Sequence, residues 1–312
     1  MKTYEKIYLI LSQTNDFVSG EDLAKELKLS RTAIWKAIQA LENQGLIIES
    51  VKNRGYRLVA GDLLSPAYLS EILSIPISLN PKSASTQLDA KLGIENQEVA
   101  PKLYLANSQT QAKGRFGRQF FANEQGGIYM SLRLTPNLPA SELPAYTIMM
   151  ASAIVKSIWS LTDKTPQIKW VNDIYLEEKK IAGILTEAIT SIETGLVTDV
   201  IIGVGLNFAI SEFPTEIVDK AGSLFENTPP TISRNDLIAK IWQIFFEAKE
   251  KDLIKVYKDF SMVLGREVTF TESGQDWQGQ AIAITDKGGL IVKLPSGQEK
   301  EISSGEVSLT SW

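Results

Sequence analysis

The sequence predicts an α+β multidomain protein with an N-terminal winged helix-turn-helix, a central α+β domain and a small C-terminal β-barrel. Three observations support this fold class. Short helical patterns and a hairpin pattern fill residues 1–62, apolar strands alternate with two long amphipathic helices through residues 63–260, and short β-rich runs separated by glycine turns make up residues 261–312. We therefore predict three domains with these boundaries.

The composition restricts the chemistry that the protein can use. Its 312 residues include no Cys and no His, which excludes disulfides, zinc sites built on those residues, and catalytic triads that need His. Catalysis must then use Lys, Arg, Asp, Glu, Tyr, hydroxyl groups, backbone amides or a hard cation such as Mg²⁺. No apolar run approaches the ~18–20 residues of a membrane span, and the N-terminus lacks the apolar core of a secretory signal. We expect a cytoplasmic protein with no membrane partner.

The first domain has the pattern of two short helices followed by a hairpin. Ser19 and Ser30 stand where each of the two helices would begin, and both are good N-cap residues. The stretch "LIIESVKNRGYRLV" predicts two short strands joined by a turn at "KNRG". Two helices with a tight turn between them, followed by a hairpin with a cationic tip, predict a winged helix-turn-helix.

The charge of this first domain favours contact with DNA. Residues 1–60 hold nine Lys and Arg against seven Asp and Glu, whereas the whole chain holds 32 against 37. We expect the second helix and the hairpin tip to present seven residues to operator DNA: Arg31, Thr32, Trp35, Lys36, Gln39, Lys52 and Arg54. The alternative is a protein-docking unit with ordinary surface cations, and Trp35 could instead pack inward.

The central domain predicts a sheet covered by helices on one face. We expect strands at "APKLYLANSQ", "GGIYMSLRL", "PQIKWVNDIYLE", "KKIAGILTEAI" and "LVTDVIIGVGLNF". The stretches "ELPAYTIMMASAIVKSIWSL" and "RNDLIAKIWQIFFEAKEKDLIKVYKDF" each predict one amphipathic helix. Mostly adjacent strands with two long helices are typical of the α+β class.

A cationic, glycine-rich loop is the first candidate for a binding site. The stretch "SQTQAKGRFGRQFF" places three cations and two glycines within Lys113–Arg118. Glycines let the backbone approach a ligand closely, and arginine can bind phosphate oxygens with two donors. The pattern is not a Walker A loop, and Phe208 in "GVGLNF" occupies the third glycine position of a dinucleotide fingerprint. The loop therefore predicts an anion such as phosphate or carboxylate, with a solvated surface turn as the alternative.

A second candidate follows in "KWVNDIYLEEKKIAGIL". Asn172 and Asp173 come directly after an apolar strand and form a plausible oxygen-ligand pair for a magnesium–nucleotide complex. Lys180 opens the next strand, where Gly183 marks a close approach. Across such a hairpin Lys180 would lie near Asp173. The alternative is a surface hairpin with a salt bridge.

Four motifs carry a family resemblance: "AKGRFGR", "KWVND", "KKIAGIL" and "GVGLN". In this order, between a winged helix-turn-helix and a β-rich tail, they resemble the bifunctional biotin protein ligases that also repress the biotin operon. The resemblance covers nearly the whole chain. It implies a class II synthetase-like central domain with a mixed sheet. It also implies a biotin–[biotin carboxyl-carrier protein] ligase that converts ATP to AMP and diphosphate through biotinyl-5′-AMP.

The resemblance also implies roles for individual residues. The implied biotin-binding residues are Ser85, Thr86, Gln87, Gln109, Lys113, Gly114, Arg115, Lys180 and Gly183. Those implied for ATP and the adenylate are Arg115, Arg118, Phe120, Asn172, Lys180 and Asn207. The implied catalytic residues are Lys180, Arg115 and Asp173, with Asp173 also as a ligand of Mg²⁺.

Three positions depart from the family pattern. Ala112-Lys113 replaces the usual Gly-Arg, and a lysine cannot make the two-pronged contact of an arginine. Val171 replaces a common proline, and Ala84 replaces a common aspartate.

The implied substrates and partners complete the hypothesis. They are ATP and biotin with Mg²⁺, the biotin carboxyl carrier protein of acetyl-CoA carboxylase or of another biotin-dependent carboxylase, operator DNA, and a second copy in an adenylate-loaded homodimer. We expect the cationic loop to close over the adenylate as a lid, because water would hydrolyse that anhydride. Three alternative functions stay open. They are a regulator without catalysis, a lipoate-attaching ligase, and a ligase whose N-terminal winged helix-turn-helix domain, the head, no longer recognises an operator.

Overall fold

A computed structural model describes residues 2–44, 46–122, 126–226, 228–272 and 274–309. The first domain contains α1 (Thr3–Ser12), α2 (Gly20–Leu27), α3 (Arg31–Glu42), β1 (Ile47–Val51) and β2 (Gly55–Ala60). Ser19 caps α2 by accepting from the Asp22 amide, and Ser30 caps α3 by accepting from the Ala33 amide. The two strands pair antiparallel around a turn at residues 52–54. The predicted winged helix-turn-helix is confirmed.

The central domain is built on one mixed sheet of seven strands. Its elements are α4 (Pro66–Leu73), β3 (Ile77–Ser83), α5 (Thr86–Glu95), β4 (Lys102–Gln109), β5 (Gly127–Leu134), α6 (Tyr146–Leu161), β6 (Gln167–Lys169), β7 (Asp173–Leu176), β8 (Lys179–Thr190), β9 (Val197–Asn207), α7 (Arg234–Glu247) and α8 (Glu250–Asp259). The strand order is β3-β4-β5-β9-β8-β7-β6. Strands β3 and β4 run parallel, and the other neighbours are antiparallel.

Helices lie on both faces of this sheet, not on one face as predicted. Helices α6, α7 and α8 pack together, and α6 also contacts β6, β7 and β8. Helix α5 buries Ala90 against Tyr104 and Ile201, apart from the main core that holds Leu103 and Leu105. Successive residues of a strand point to opposite faces, so α5 covers the second face. Neither β3 nor α5 was predicted from the sequence.

Two predicted elements are each split in the structure. The stretch "PQIKWVNDIYLE" forms the hairpin β6–β7, in which Lys169 pairs with Asp173. The last long helix breaks into α7 and α8 because Ala248 and Lys249 are extended, with ψ angles of 145° and 142°. The break lets α8 turn its apolar face onto α6.

The C-terminal domain is an open sheet in the part of the chain that the structure describes. Its strands are β10 (Glu267–Glu272), β11 (Gln275–Ile284), β12 (Leu290–Lys293), β13 (Glu299–Ile302) and β14 (Ser308–Leu309), in the order β13-β12-β11-β10-β14. The edge strands β13 and β14 do not pair with each other, so the predicted barrel is not confirmed. Among the described residues, no helix has the length and apolar character needed to cross a bilayer.

Candidate active site

Two cavities meet beside the cationic loop. The smaller has a volume of about 180 Å³ and the larger about 740 Å³. Both are lined by the same seven residues where they adjoin: Arg118, Gln119, Phe120, Asn172, Asp173, Lys180 and Glu306. The site can therefore hold two ligands whose ends meet at this shared wall.

The smaller cavity receives the N-terminus of α5. The Thr86 amide donates to Gln109 Oε1 at 2.7 Å, and the Thr86 hydroxyl lies 2.8 Å from Ser131 Oγ. Ser85 caps the helix and accepts from the Gln87 amide at 3.3 Å. Because these groups are held by one another, the polar end of this cavity is already ordered before a ligand binds.

The cationic loop folds into a tight turn. The Gly114 amide donates to the Arg118 carbonyl at 2.8 Å, and the Phe120 amide donates to the Ala112 carbonyl at 3.0 Å. At the tip, Phe116 has a φ of 57° and its side chain is 69% exposed.

The two arginines of the loop reach across to other parts of the chain. Arg115 Nη1 donates to Asn172 Oδ1 at 3.2 Å and to the Gly305 carbonyl at 2.9 Å. Arg118 Nη1 donates to Glu306 Oε1 at 2.6 Å. The C-terminal domain therefore contributes a carboxylate and a carbonyl to the wall of the site.

A carboxylate with a lysine on each neighbouring strand forms the charged centre of the site. Lys180 Nζ lies 2.7 Å from Asp173 Oδ1. Asp173 is in register with Gly183 on β8 and with Lys169 on β6. Burial lowers the pKa of Lys169, although the carboxylates of Asp173 and Glu306 act to raise it.

An aromatic ring and an amide line the larger cavity beside β9. The Phe120 ring lies on Gly205, where a Cβ would come within 2.5 Å of Phe120 Cε1. Asn207 is buried and donates through Nδ2 to the Gly222 carbonyl at 2.9 Å. Its Oδ1 has no hydrogen-bond partner among the described residues, so it is available to a ligand donor.

The structure brings the predicted site residues of the central domain together. Every predicted biotin-binding residue lines the smaller cavity. The larger cavity is lined by Arg118, Phe120, Asn172, Lys180 and Asn207. Arg115 lines the smaller cavity and not the larger one.

The predicted DNA-contacting residues all lie on the exposed surface of the head. Trp35 is 54% exposed, so the alternative in which it packs inward is wrong. Arg31 already donates to Glu21 Oε2 at 2.7 Å, and Gln39 donates to Glu42 Oε2 at 2.7 Å. Contact with DNA itself stays a prediction.

Four residues at the site were missed by sequence reasoning. Ser131 and Glu187 hold site residues from neighbouring strands, through Thr86 and Gln87 respectively. Lys169 had a signal, since it is the first residue of "KWVND". Glu306 had none, because it comes from another domain.

Comparison with known proteins gives three successive family matches. An HTH domain model matches residues 4–57, the biotin/lipoate A/B protein ligase family matches residues 81–207, and the biotin protein ligase C terminal domain matches residues 263–310. The bifunctional ligase/repressor BirA of Bacillus subtilis is 31% identical over 97% of both chains. That of Salmonella typhimurium is 27% identical over 95% of this chain and 94% of its own.

Solved structures agree with these matches. The biotin protein ligase from Aquifex aeolicus in complex with biotin and ATP is 27% identical, with a TM-score of 0.60 over 75% of this chain and 97% of that one. The fold and the double cavity define a ligase-type domain joined to a helix-turn-helix head. The chain belongs to the biotin protein ligase family, with the three-part layout of the bifunctional ligase/repressors.

Proposed function

We infer that this chain is an ATP-dependent biotin protein ligase that also represses biotin genes in response to biotin. It forms biotinyl-5′-AMP and transfers biotin to a lysine of a biotin carboxyl carrier domain. The observation that carries this conclusion is the shared wall of the two cavities. There Lys180, Asp173 and Arg118 lie between an ordered polar pocket and a larger one lined by charged side chains of both signs.

The first step activates a carboxylate, which is a poor electrophile. We place biotin in the smaller cavity and ATP in the larger one, with Phe120 and Asn207 on the adenine side. The biotin carboxylate attacks the α-phosphorus, a P–O bond forms, and the bond to the β-phosphate oxygen breaks to release diphosphate. Two anions must approach each other, so the cations of this wall stabilise the transition state by position and charge.

The resting contacts indicate how those cations are held ready. Lys180 is paired with Asp173, Arg115 with Asn172, and Arg118 with Glu306. A triphosphate is a stronger partner than any of these groups and draws the cations away from them. Lys169, on the strand beside Asp173, adds a further cation on the diphosphate side.

The donor set suits Mg²⁺ that arrives with the nucleotide. Magnesium in such sites is usually held by one or two carboxylates and by substrate phosphates. We assign this role to Asp173, one of the two carboxylates on the wall that the cavities share, which lies beside Lys180. Within the described parts of the chain, no cluster of three acidic residues could hold a metal alone. Bound in this way, the ion would screen the phosphate charge.

The second step needs a neutral lysine amine, whereas the pKa of a free lysine is about 10.4. We propose that Asp173 takes the proton from the incoming amine. The amine nitrogen then bonds to the biotinyl carbonyl carbon, and the C–O bond to AMP breaks. The sequence contains no histidine that could act as the general base.

The cationic loop would act as a lid during both steps. Its glycines allow hinge motion, and its arginines gain phosphate partners on closing. Residues 110–121 should be cleaved by protease in the free protein and protected when biotin and ATP are both added. Equal cleavage in the two states would refute the lid.

We further propose that the adenylate-loaded protein is a homodimer that binds operator DNA. One winged helix-turn-helix per chain supports this, since such heads usually bind two half-sites as a symmetric dimer. Sedimentation with and without biotin and ATP, at the same protein concentration, measures the association. DNA binding that stays equal in both states would show a ligase without a responsive repressor.

The experiment that tests the function is a mass measurement. A biotin carboxyl carrier domain incubated with this chain, ATP and biotin should gain one biotinyl group, and omitting ATP should abolish the gain. Competition with lipoate tests the related ligase class, which attaches a different acid. Preferential transfer of lipoate, or no transfer of either acid, would overturn the proposal.

A further inference from the structure

The side chain of Gln87 is held in one orientation by a carboxylate outside the cavity. It is only 8% exposed and projects from the first turn of α5. Its Nε2 donates to Glu187 Oε2 at 3.0 Å and to the Leu185 carbonyl at 3.2 Å. Glu187 does not line the smaller cavity, whereas Gln87 and Leu185 do.

The chemistry of these partners determines which end of the amide faces which way. A carboxylate and a carbonyl only accept hydrogen bonds, so both must face the NH₂ group. Lys91 Nζ lies 3.0 Å from the other carboxylate oxygen, Glu187 Oε1, and so keeps the carboxylate in place. Rotating the amide by 180° would put three oxygens against one another. The orientation is therefore fixed before a ligand enters.

The oxygen of the amide, Gln87 Oε1, is a buried acceptor that could bind a ligand donor. Gln87 Oε1 has no hydrogen-bond partner among the described residues. It lies beside Gly203, where a Cβ would come within 3.1 Å of it. A buried oxygen without a partner is costly, so a ligand that brings an N–H to this point gains more than one that does not.

We propose that Glu187 is a positioning residue for substrate selection, which holds Gln87 so that Oε1 accepts from one N–H of the biotin ureido ring. This inference depends on the proposed function, since it assigns the smaller cavity to biotin. The dithiolane ring of lipoate offers no N–H, so the same fixed acceptor discriminates against it. Sites built to bond a substrate donor reject analogues that lack it.

The test combines a variant with altered substrates. In Glu187→Gln the residue at 187 can donate as well as accept, so only the Leu185 carbonyl still favours the original orientation, and a fraction of the molecules turns the NH₂ group of Gln87 into the cavity. We expect the KM for biotin to rise about tenfold, the scale of one hydrogen bond, with the KM for ATP unchanged. The two biotins that carry a methyl group on one ureido nitrogen are then compared with biotin in both proteins.

One methylated biotin should separate positioning from a general structural role. In the wild-type protein, methylation of the nitrogen that faces Gln87 weakens binding; in Glu187→Gln the same methylation should cost several-fold less. Glu193→Gln is the matched control, an exposed residue of the β8–β9 turn, and should behave as wild type.

Three results would decide against the inference. Glu187→Gln with an unchanged KM for biotin would overturn it, and so would an equal penalty for both methylated biotins in both proteins. If Glu187→Gln does not fold, Gln87→Met removes Oε1 directly. A Gln87→Met protein that still distinguishes the two methylated biotins as the wild type does would also overturn the inference. A wild-type protein that fails to biotinylate the carrier domain would instead refute the proposed function, and with it the assignment of this cavity.

Discussion

The two cavities of the site are built in different ways. Away from the shared wall and the cationic loop, the smaller one ends in neutral groups of the central domain that already bond to one another, such as Thr86, Gln109 and Ser131. The larger one is lined by charged groups from the loop, the β6–β8 strands and the C-terminal domain, paired with carboxylates or amides. A rigid pocket suits a neutral ring, whereas exchangeable ion pairs suit a polyphosphate that must enter and leave in parts.

The difference between the cavities predicts which property of the enzyme a substitution in each of them should alter. Changes in the smaller cavity should alter the affinity for biotin and leave nucleotide binding intact. Changes in the larger cavity should alter nucleotide binding or the chemical steps. Residues on the shared wall should affect catalysis most, because they touch both ligands.

The largest effect is expected for Asp173→Asn on that wall. Asparagine keeps the shape but cannot accept a proton, so transfer from pre-formed biotinyl-5′-AMP to the carrier lysine should fall about 10²–10⁴-fold. Single-turnover transfer measures this step alone. Asp259→Asn is the control, since Asp259 is an exposed carboxylate that pairs with Lys255 on the same helix. Normal transfer by Asp173→Asn would leave Asp173 with a metal-binding role only.

The substitution Gly203→Ala tests the smaller cavity by adding a methyl group to its wall. A Cβ at this position would lie 2.9 Å from Gln87 Cδ, so the amide must shift from its fixed place. We expect the KM for biotin to rise roughly tenfold, about the value of one lost hydrogen bond, while the KM for ATP stays the same. Gly20→Ala makes the same change in the head, beside Tyr56, and serves as the control. An equal rise in both KM values would contradict the division between the cavities.

The sequence could predict the charged wall better than the neutral pocket. Asp173 and Lys180 belong to one hairpin, so their contact follows from local pairing. Helix α5 was missed because its buried residues, Thr86, Gln87, Ala90 and Gly93, include too few apolar side chains to give a helical stripe. Such a helix is recognisable only once its partners on the sheet are known.

Long-range contacts were the other part that the sequence could not provide. Glu306 meets Arg118 only because the C-terminal sheet folds back over the central domain. The barrel was predicted from regular turn spacing, but closure depends on how the edge strands meet, and turn spacing carries no information on that. The head, by contrast, was predictable because serine caps and a turn define it locally.

The smallest expected effect concerns pH and Lys169. Burial lowers the pKa of this lysine, so it loses its charge at a lower pH than an ordinary lysine as pH rises. A neutral amine cannot screen the diphosphate, and kcat/KM for ATP, which reports on the free enzyme, should fall a few-fold on the alkaline side. Burial raises the pKa of the neighbouring Tyr175 to about 12, so that group stays neutral over this range.

Substituting Lys169 tests whether this lysine, and not another group of the larger cavity, causes the alkaline fall in kcat/KM for ATP. An arginine stays charged at every relevant pH, so Lys169→Arg should move the alkaline fall to higher pH. Lys255→Arg, on the exposed side of α8, should leave the profile as in the wild type. The kcat/KM for biotin, measured in parallel, should be nearly flat over the same range, because the smaller cavity binds its ring through neutral groups. A fall of the same size for both substrates would mean that Lys169 acts on the whole site, and the contrast between the two cavities would not hold at this residue.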